Sequence, residues 1–160
     1  MGTLLLGSAS VQRSVRTVLV AILVASTPIL LPPPAGAGRH PYHPCELTRR
    51  DGETVQHFSK RLIRCAVGAY GPVAGGATRA ICIARRESGL IPSASSPKRR
   101  YLGLYQHSAT YWPWRFDTYT RPSWMLASSA LSGRSNAIVT VRMVHAFGGW
   151  KHAGWPVKAC

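Results

Sequence analysis

Glu87 is one of five acidic residues in a chain of 160 that carries twenty Lys and Arg. It stands in ARRESGLIP, residues 84–92, directly after Arg85 and Arg86. A carboxyl in such company is either a solvated helix-end residue paired with an arginine or a general acid. General-acid work near neutral pH needs a proton held well above the free glutamate value of about 4.3. A helix C-terminus supplies part of that shift, because its unpaired carbonyls carry roughly half a negative charge. Apolar or aromatic walls supply more, and the aromatic-rich segment 101–114 offers one. The two arginines favour the ionised form. Residues one and two positions back on a helix, however, point to other faces.

The scarcity of acids narrows the chemistry. The two-carboxylate glycosidase scheme needs a second Asp or Glu about 5 to 10 Å away, and Asp117 is the only acidic residue after Glu87. Either Asp117 folds back or one acid suffices. A two-metal nuclease needs a cluster of acidic ligands, which the sequence lacks. No C-x-x-C pair suggests zinc. His40, His43 and Cys45 in HPYHPC read as a turn-rich linker with a disulfide cysteine rather than a metal clip. His107 and His145 have no nucleophile or acid cluster beside them and read as hydrogen-bonded structural residues. No metal or other cofactor is expected.

The elements that would position Glu87 are helical. Val55, Phe58, Leu62, Ile63, Ala66, Val67 and Tyr70 recur at helical spacing, so residues 52–70 are expected to form an amphipathic helix, with Asp51 as cap and Gly71-Pro72 as stop. Ala77, Ala80, Ile81, Ile83 and Ala84 define a second, buried helix. Glu87 falls in its last turn, and Gly89 and Pro92 end it. Residues 93–103 have loop composition with a short extended piece at Tyr101 and Leu102. The aromatic stretch that follows is broken by prolines and suits short helices. SNAIVTVRMVHAFGG reads as a final helix capped by Ser132 or Ser135 and stopped at Gly148, and the tail after it as coil. No repeat is evident.

Residues 1–37 join Arg13 and Arg16 to an apolar run near 18–31, then prolines and Ala35-Gly36-Ala37, the pattern of a cleaved secretory signal peptide; the alternative is an uncleaved membrane anchor, since the run is near the lower limit for a span. Residues 38–50 form a lead-in and 51–160 the folded domain. All four cysteines lie beyond residue 37, so two disulfides are expected, with three possible pairings. The net charge of +15 implies an anionic partner or surface.

Glu87-Ser88-Gly89, Ser96-Pro97, then Gly103-Leu104-Tyr105-Gln106 resemble the core of soluble-type lytic transglycosylases of the lysozyme-like superfamily. GLYQHSATYW and SNAIVTVRMV followed by GGW are similar to secreted transglycosylase-like proteins of actinobacteria. The resemblance covers residues 77–155. It implies a mainly α, lysozyme-like domain with a saccharide-binding cleft. Its substrate would be peptidoglycan glycan strands, cut between N-acetylmuramic acid and N-acetylglucosamine by Glu87 as acid and then base. It further implies that Ser96, Tyr105, Gln106 and Asn136 are substrate-binding residues. The chain departs from the pattern at Ile91 and in the basic triplet Lys98, Arg99, Arg100, which suits anionic wall polymers.

Aromatic faces pack on sugar rings, making Trp112, Trp114, Trp150 and Trp155 candidates, with Trp150 placed in the substrate site and most of the others in the core. The expected protein is a monomer, secreted or wall-associated outside a bacterial cell, with no membrane span after signal cleavage and no specific nucleic-acid partner. The competing functions are a catalytically silent cationic wall-binding module and a protein acting on membranes or nucleic acid through charge alone.

Overall fold

The computed structural model describes residues 45–120, 126–156, 158 and 160. The expected signal segment and the two histidines of the HPYHPC stretch lie outside the described residues.

Helix α1 spans Val55–Tyr70 and buries Ser59, Leu62, Ile63 and Ala66, the i, i+3, i+4, i+7 stripe of one face. Its cap is Thr54, whose hydroxyl accepts the His57 backbone N–H at 3.2 Å. The expected cap, Asp51, lies in the turn before it. Thr54 wins because it stands in extended backbone three residues ahead of an N–H left unpaired by the first helical turn. Helix α2 spans Gly76–Ser88 and ends at Gly89, which adopts φ +63 and donates to the Arg85 carbonyl at 2.9 Å. That left-handed cap fixes Glu87 in the last turn.

Two very short antiparallel strands follow, β1 at Tyr101–Leu102 and β2 at His107–Ser108, with Tyr101 opposite Ser108 and Leu102 opposite His107. The extended piece read at Tyr101 and Leu102 is therefore one arm of a hairpin. Helix α3, Trp112–Tyr119, places Pro113 in its first turn, where the missing N–H costs nothing. Helix α4, Gly133–Ala146, is capped by Ser132, whose hydroxyl accepts the Ser135 N–H at 3.3 Å. Residues 135–141, Met143 and Val144 are all buried. Such all-round burial explains how a run of Ile, Val and Thr stays helical: tertiary packing outweighs their modest propensity.

The described part is mainly α. Its principal core joins Ile63 and Ala66 of α1, Ile83 and Ala84 of α2, and Ile138, Val141 and Val144 of α4 with Tyr105, Trp150 and Trp155. Burying each large apolar side chain contributes roughly 1.5–3 kcal/mol. A smaller cluster packs Trp112 and Phe116 of α3 on Val139 of α4. The pairing among cysteines is Cys45–Cys65 and Cys82–Cys160, tying the lead-in to α1 and the C-terminal residue to α2. Residues 151–154 form turns and Trp150 and Trp155 sit in the core, so the described tail expected as coil is in part turned and packed. No helix among the described residues is long and apolar enough to cross a membrane.

Candidate functional site

The turn between β1 and β2 is built from Gly103, Leu104, Tyr105 and Gln106. Gly103 has φ +79 and Gln106 φ +49, a pair of left-handed residues that closes the chain tightly. A Cβ on Gly103 would fall inside contact distance of the Ala130 carbonyl and the Asn136 amide. Asn136, on α4, grips the turn from below: its Oδ1 accepts the Tyr105 N–H at 3.0 Å, and its Nδ2 donates to the Ala130 carbonyl at 2.8 Å. From the other side, Ser88 at the end of α2 donates its hydroxyl to the Leu104 carbonyl at 2.8 Å. The residue after Glu87 thus fastens the helix end to the turn that carries Gln106.

Glu87, Tyr101, Gln106, Gly154, Trp155 and Pro156 line a cleft of about 360 Å3, within the size range of small-molecule sites. Glu87 is the one carboxylate among these residues. Its pKa is raised above the ordinary glutamate value, first by burial, with the Arg86 cation working against the shift. Arg85 and Arg86 are both exposed while Glu87 is half-buried, so the two cations remain in solvent beside a partly sheltered carboxyl. Gln106 commits its Nε2 to the carbonyls of Gly103 at 2.9 Å and Ala94 at 3.3 Å. Its carbonyl oxygen is the end of that side chain suited to accept a ligand's hydrogen bond.

Of the residues expected to bind substrate, Gln106 alone lines the cleft with Glu87. Tyr105 is fully buried, and its hydroxyl donates to the Ala80 carbonyl at 3.0 Å. Trp150 stacks on Tyr105 at 5.9 Å and donates its indole N–H to the Ala74 carbonyl at 2.9 Å. Asn136 is fully buried. The expectation of direct sugar contact by these three is corrected: all are interior residues, and every polar handle they carry is satisfied inside the protein. Ser96 accepts the Tyr101 N–H at 2.9 Å and so shapes the strand that presents Tyr101; it does not line the cleft.

Trp155 is the tryptophan that reaches the cleft, its indole N–H donating to the Tyr105 carbonyl at 2.9 Å. Trp112 is core, and Trp114 is exposed on α3. Gly154 and Pro156 escaped sequence reasoning, because a tail without apolar period carries no local signal of packing. The clue present was Cys160, whose bridge to α2 draws the tail against the helix that holds Glu87.

The two histidines are structural in geometry. His107 is fully buried, its Nδ1 accepting from Arg115 at 3.0 Å and its Nε2 meeting the Thr140 hydroxyl at 2.8 Å. An Nδ1 that accepts from a guanidinium leaves the proton on Nε2, and Thr140 passes its own proton on to the Asn136 carbonyl at 2.8 Å. Burial, then the Arg115 cation, pushes the His107 pKa down to about 3. His145 lies 3.1 Å from the Pro72 carbonyl. Asp117 is exposed on α3 and is not among the residues of the cleft. Among the described residues no three His, Cys, Asp or Glu side chains converge as a metal set. No family model, curated protein or solved structure matches the chain.

Proposed function

We propose that the protein is a peptidoglycan-cleaving enzyme of lysozyme-like type, a lytic transglycosylase or muramidase, with Glu87 as its acid. One observation carries this reading: a half-buried glutamate with a raised pKa is the sole carboxylate of a cleft that also holds an exposed tyrosine, a glutamine and a tryptophan edge. A lone carboxyl suits a route in which one group serves twice. Glu87 gives its proton to the glycosidic oxygen between N-acetylmuramic acid and N-acetylglucosamine as the C1–O bond breaks. The resulting carboxylate then takes the proton of the muramoyl 6-hydroxyl, whose oxygen closes on C1. The products are a free sugar hydroxyl and a 1,6-anhydro end, and the acid is restored without water. A muramidase would add water at C1 instead. Tyr101 offers an exposed flat face to a sugar ring, Trp155 an edge, and Gln106 a polar contact.

The test is Glu87→Gln with mass spectrometry of products from purified peptidoglycan. Cleavage is expected to fall by about 100- to 10,000-fold, with folding and wall sedimentation retained. Anhydro ends identify the transglycosylase, and reducing ends the muramidase. Cleavage at the wild-type rate in the variant sinks the assignment. A wild type that sediments with walls and releases no muropeptide is instead a silent wall-binding module.

A further inference from the structure

The side of α2 turned away from Glu87 carries different chemistry. Two positions separate Arg85 from Glu87, about 200° around a helix. A cavity of about 290 Å3 lies between α1 and α2 there, with Lys60 and Arg64 contributed by α1, and Thr78 and Arg85 by α2. No acidic residue lines it. None of the Lys60, Arg64 and Arg85 side chains has a hydrogen-bonded or ion-paired partner among the described residues. A second cavity of about 270 Å3 continues along α1, shares Lys60 and Arg64 with the first, and adds Arg50 and His57. Its single acid, Glu53, is already neutralised by Arg61 at 2.7 Å. The two cavities thus form one concave strip lined by unbalanced cations.

Converging like charges repel, and they remain together at little cost only while water screens them or an anion joins them. Guanidinium forks match phosphate oxygens in pairs, and the Thr78 hydroxyl adds a neutral donor. Cavities of about 290 and 270 Å3 have room for the repeating units of a slender chain. Two disulfides indicate an oxidising compartment. We propose that this α1–α2 groove binds a flexible polyol-phosphate polymer, its phosphodiesters seated on Lys60, Arg64 and Arg85 and continuing along α1 towards Arg50. The proposal stands independently of glycan cleavage by Glu87.

The test measures binding of the full chain to fluorescently labelled poly(glycerol phosphate) by anisotropy across a salt series. Three proteins are compared: the wild type, K60Q/R64Q/R85Q, and R49Q/K151Q/K158Q, which loses equal charge elsewhere on the surface. The groove variant is expected to bind at least about tenfold more weakly. Its plot of log affinity against log salt should be shallower by about 2, from three phosphate contacts at about 0.7 each. The control is expected to stay within about threefold of the wild type. Melting curves accompany all three proteins. If the triple variant melts early, R64Q/R85Q, whose two side chains are exposed, carries the comparison with an expected loss of at least about fivefold. Equal weakening in groove variant and control, or none in the groove variant, overturns the site. Tighter binding by the wild type to a polyuronate or a single-stranded oligonucleotide of matched charge overturns the partner. Glycan cleavage is not read, so failure here leaves the Glu87 reading untouched.

Discussion

Asn136 holds the backbone of Tyr105. Its Oδ1 accepts the Tyr105 N–H at 3.0 Å, while its Nδ2 reaches the carbonyls of Ala130 at 2.8 Å and Leu102 at 3.3 Å. One buried amide on α4 therefore ties the first strand of the hairpin to the turn that sets Gln106 in the cleft with Glu87. Types suited to sugar recognition here serve the interior, and the cleft inherits its shape from them.

Removing that amide should be expensive. Asn136→Ala orphans a buried N–H, and an unsatisfied buried group costs about 1–3 kcal/mol. Counting the cavity as well, a loss of about 3 kcal/mol in urea unfolding at neutral pH is expected. Gly103→Ala should also destabilise strongly, since its φ of +79 is strained for an L side chain and the added Cβ meets Asn136. Wild-type unfolding midpoints in both variants would remove Asn136 from its positioning role.

The acid role proposed for Glu87 predicts a pH profile. Arg86 is the cation that holds its raised pKa back, so Arg86→Gln should raise it further and carry the alkaline limb of kcat/KM for glycan release to higher pH. Arg86→Lys should leave that limb nearly in place. The stability sign follows from the same shift. A folded pKa above the unfolded one contributes stability that is fully present below the unfolded value and is lost as pH rises through the folded pKa. Glu87→Gln should accordingly gain on the wild type in unfolding midpoint as pH rises through that window. An Arg86→Gln profile that moves towards acid contradicts the assigned cause.

The three long helices were legible because their apolar residues repeat with the helical period. Glu87 was legible as a last-turn residue, beyond the apolar run that ends at Ala84 and just ahead of the stop at Gly89. Tyr105, Trp150 and Asn136 were not assignable by type alone: each has a polar handle that a sugar or a backbone carbonyl satisfies equally well, and only burial decides between them. The cap of α1 went to Thr54 rather than Asp51 for a geometric reason, one turn of register that either residue's chemistry would have allowed. Cysteine pairing and the packed tail are non-local, set by how α2 lies against residues more than seventy positions on.

His107 makes the fold sensitive to acid. Its folded pKa of about 3 lies below the ordinary value of 6.5, so between those pH values the unfolded chain binds a proton that the folded chain refuses. Stability must fall as pH falls through 6.5, by about 1.4 kcal/mol per pH unit for one fully buried ring. A loss of about 2 kcal/mol from pH 7 to pH 5 is expected in urea unfolding. His107→Gln, which keeps one donor and one acceptor, should flatten this dependence, and an unflattened slope would assign it to other groups.

The two disulfides should differ in what they hold. Cys82–Cys160 spans 78 residues and Cys45–Cys65 spans 20, so chain entropy gives the longer loop about 4.5 kcal/mol and the shorter about 3.3 kcal/mol. The longer bridge also anchors the tail whose Gly154, Trp155 and Pro156 form one wall of the cleft. Arg79 adds a 3.3 Å hydrogen bond from its Nε to the Cys160 carbonyl. C82S/C160S should therefore lower the urea midpoint more than C45S/C65S does. Under conditions where both variants remain folded, it alone should raise KM for glycan, because the wall bearing Trp155 loosens while Glu87 and Gln106 stay on their own elements. Equal KM in the two variants would show that the Trp155–Tyr105 hydrogen bond and core packing hold the wall without the covalent tie.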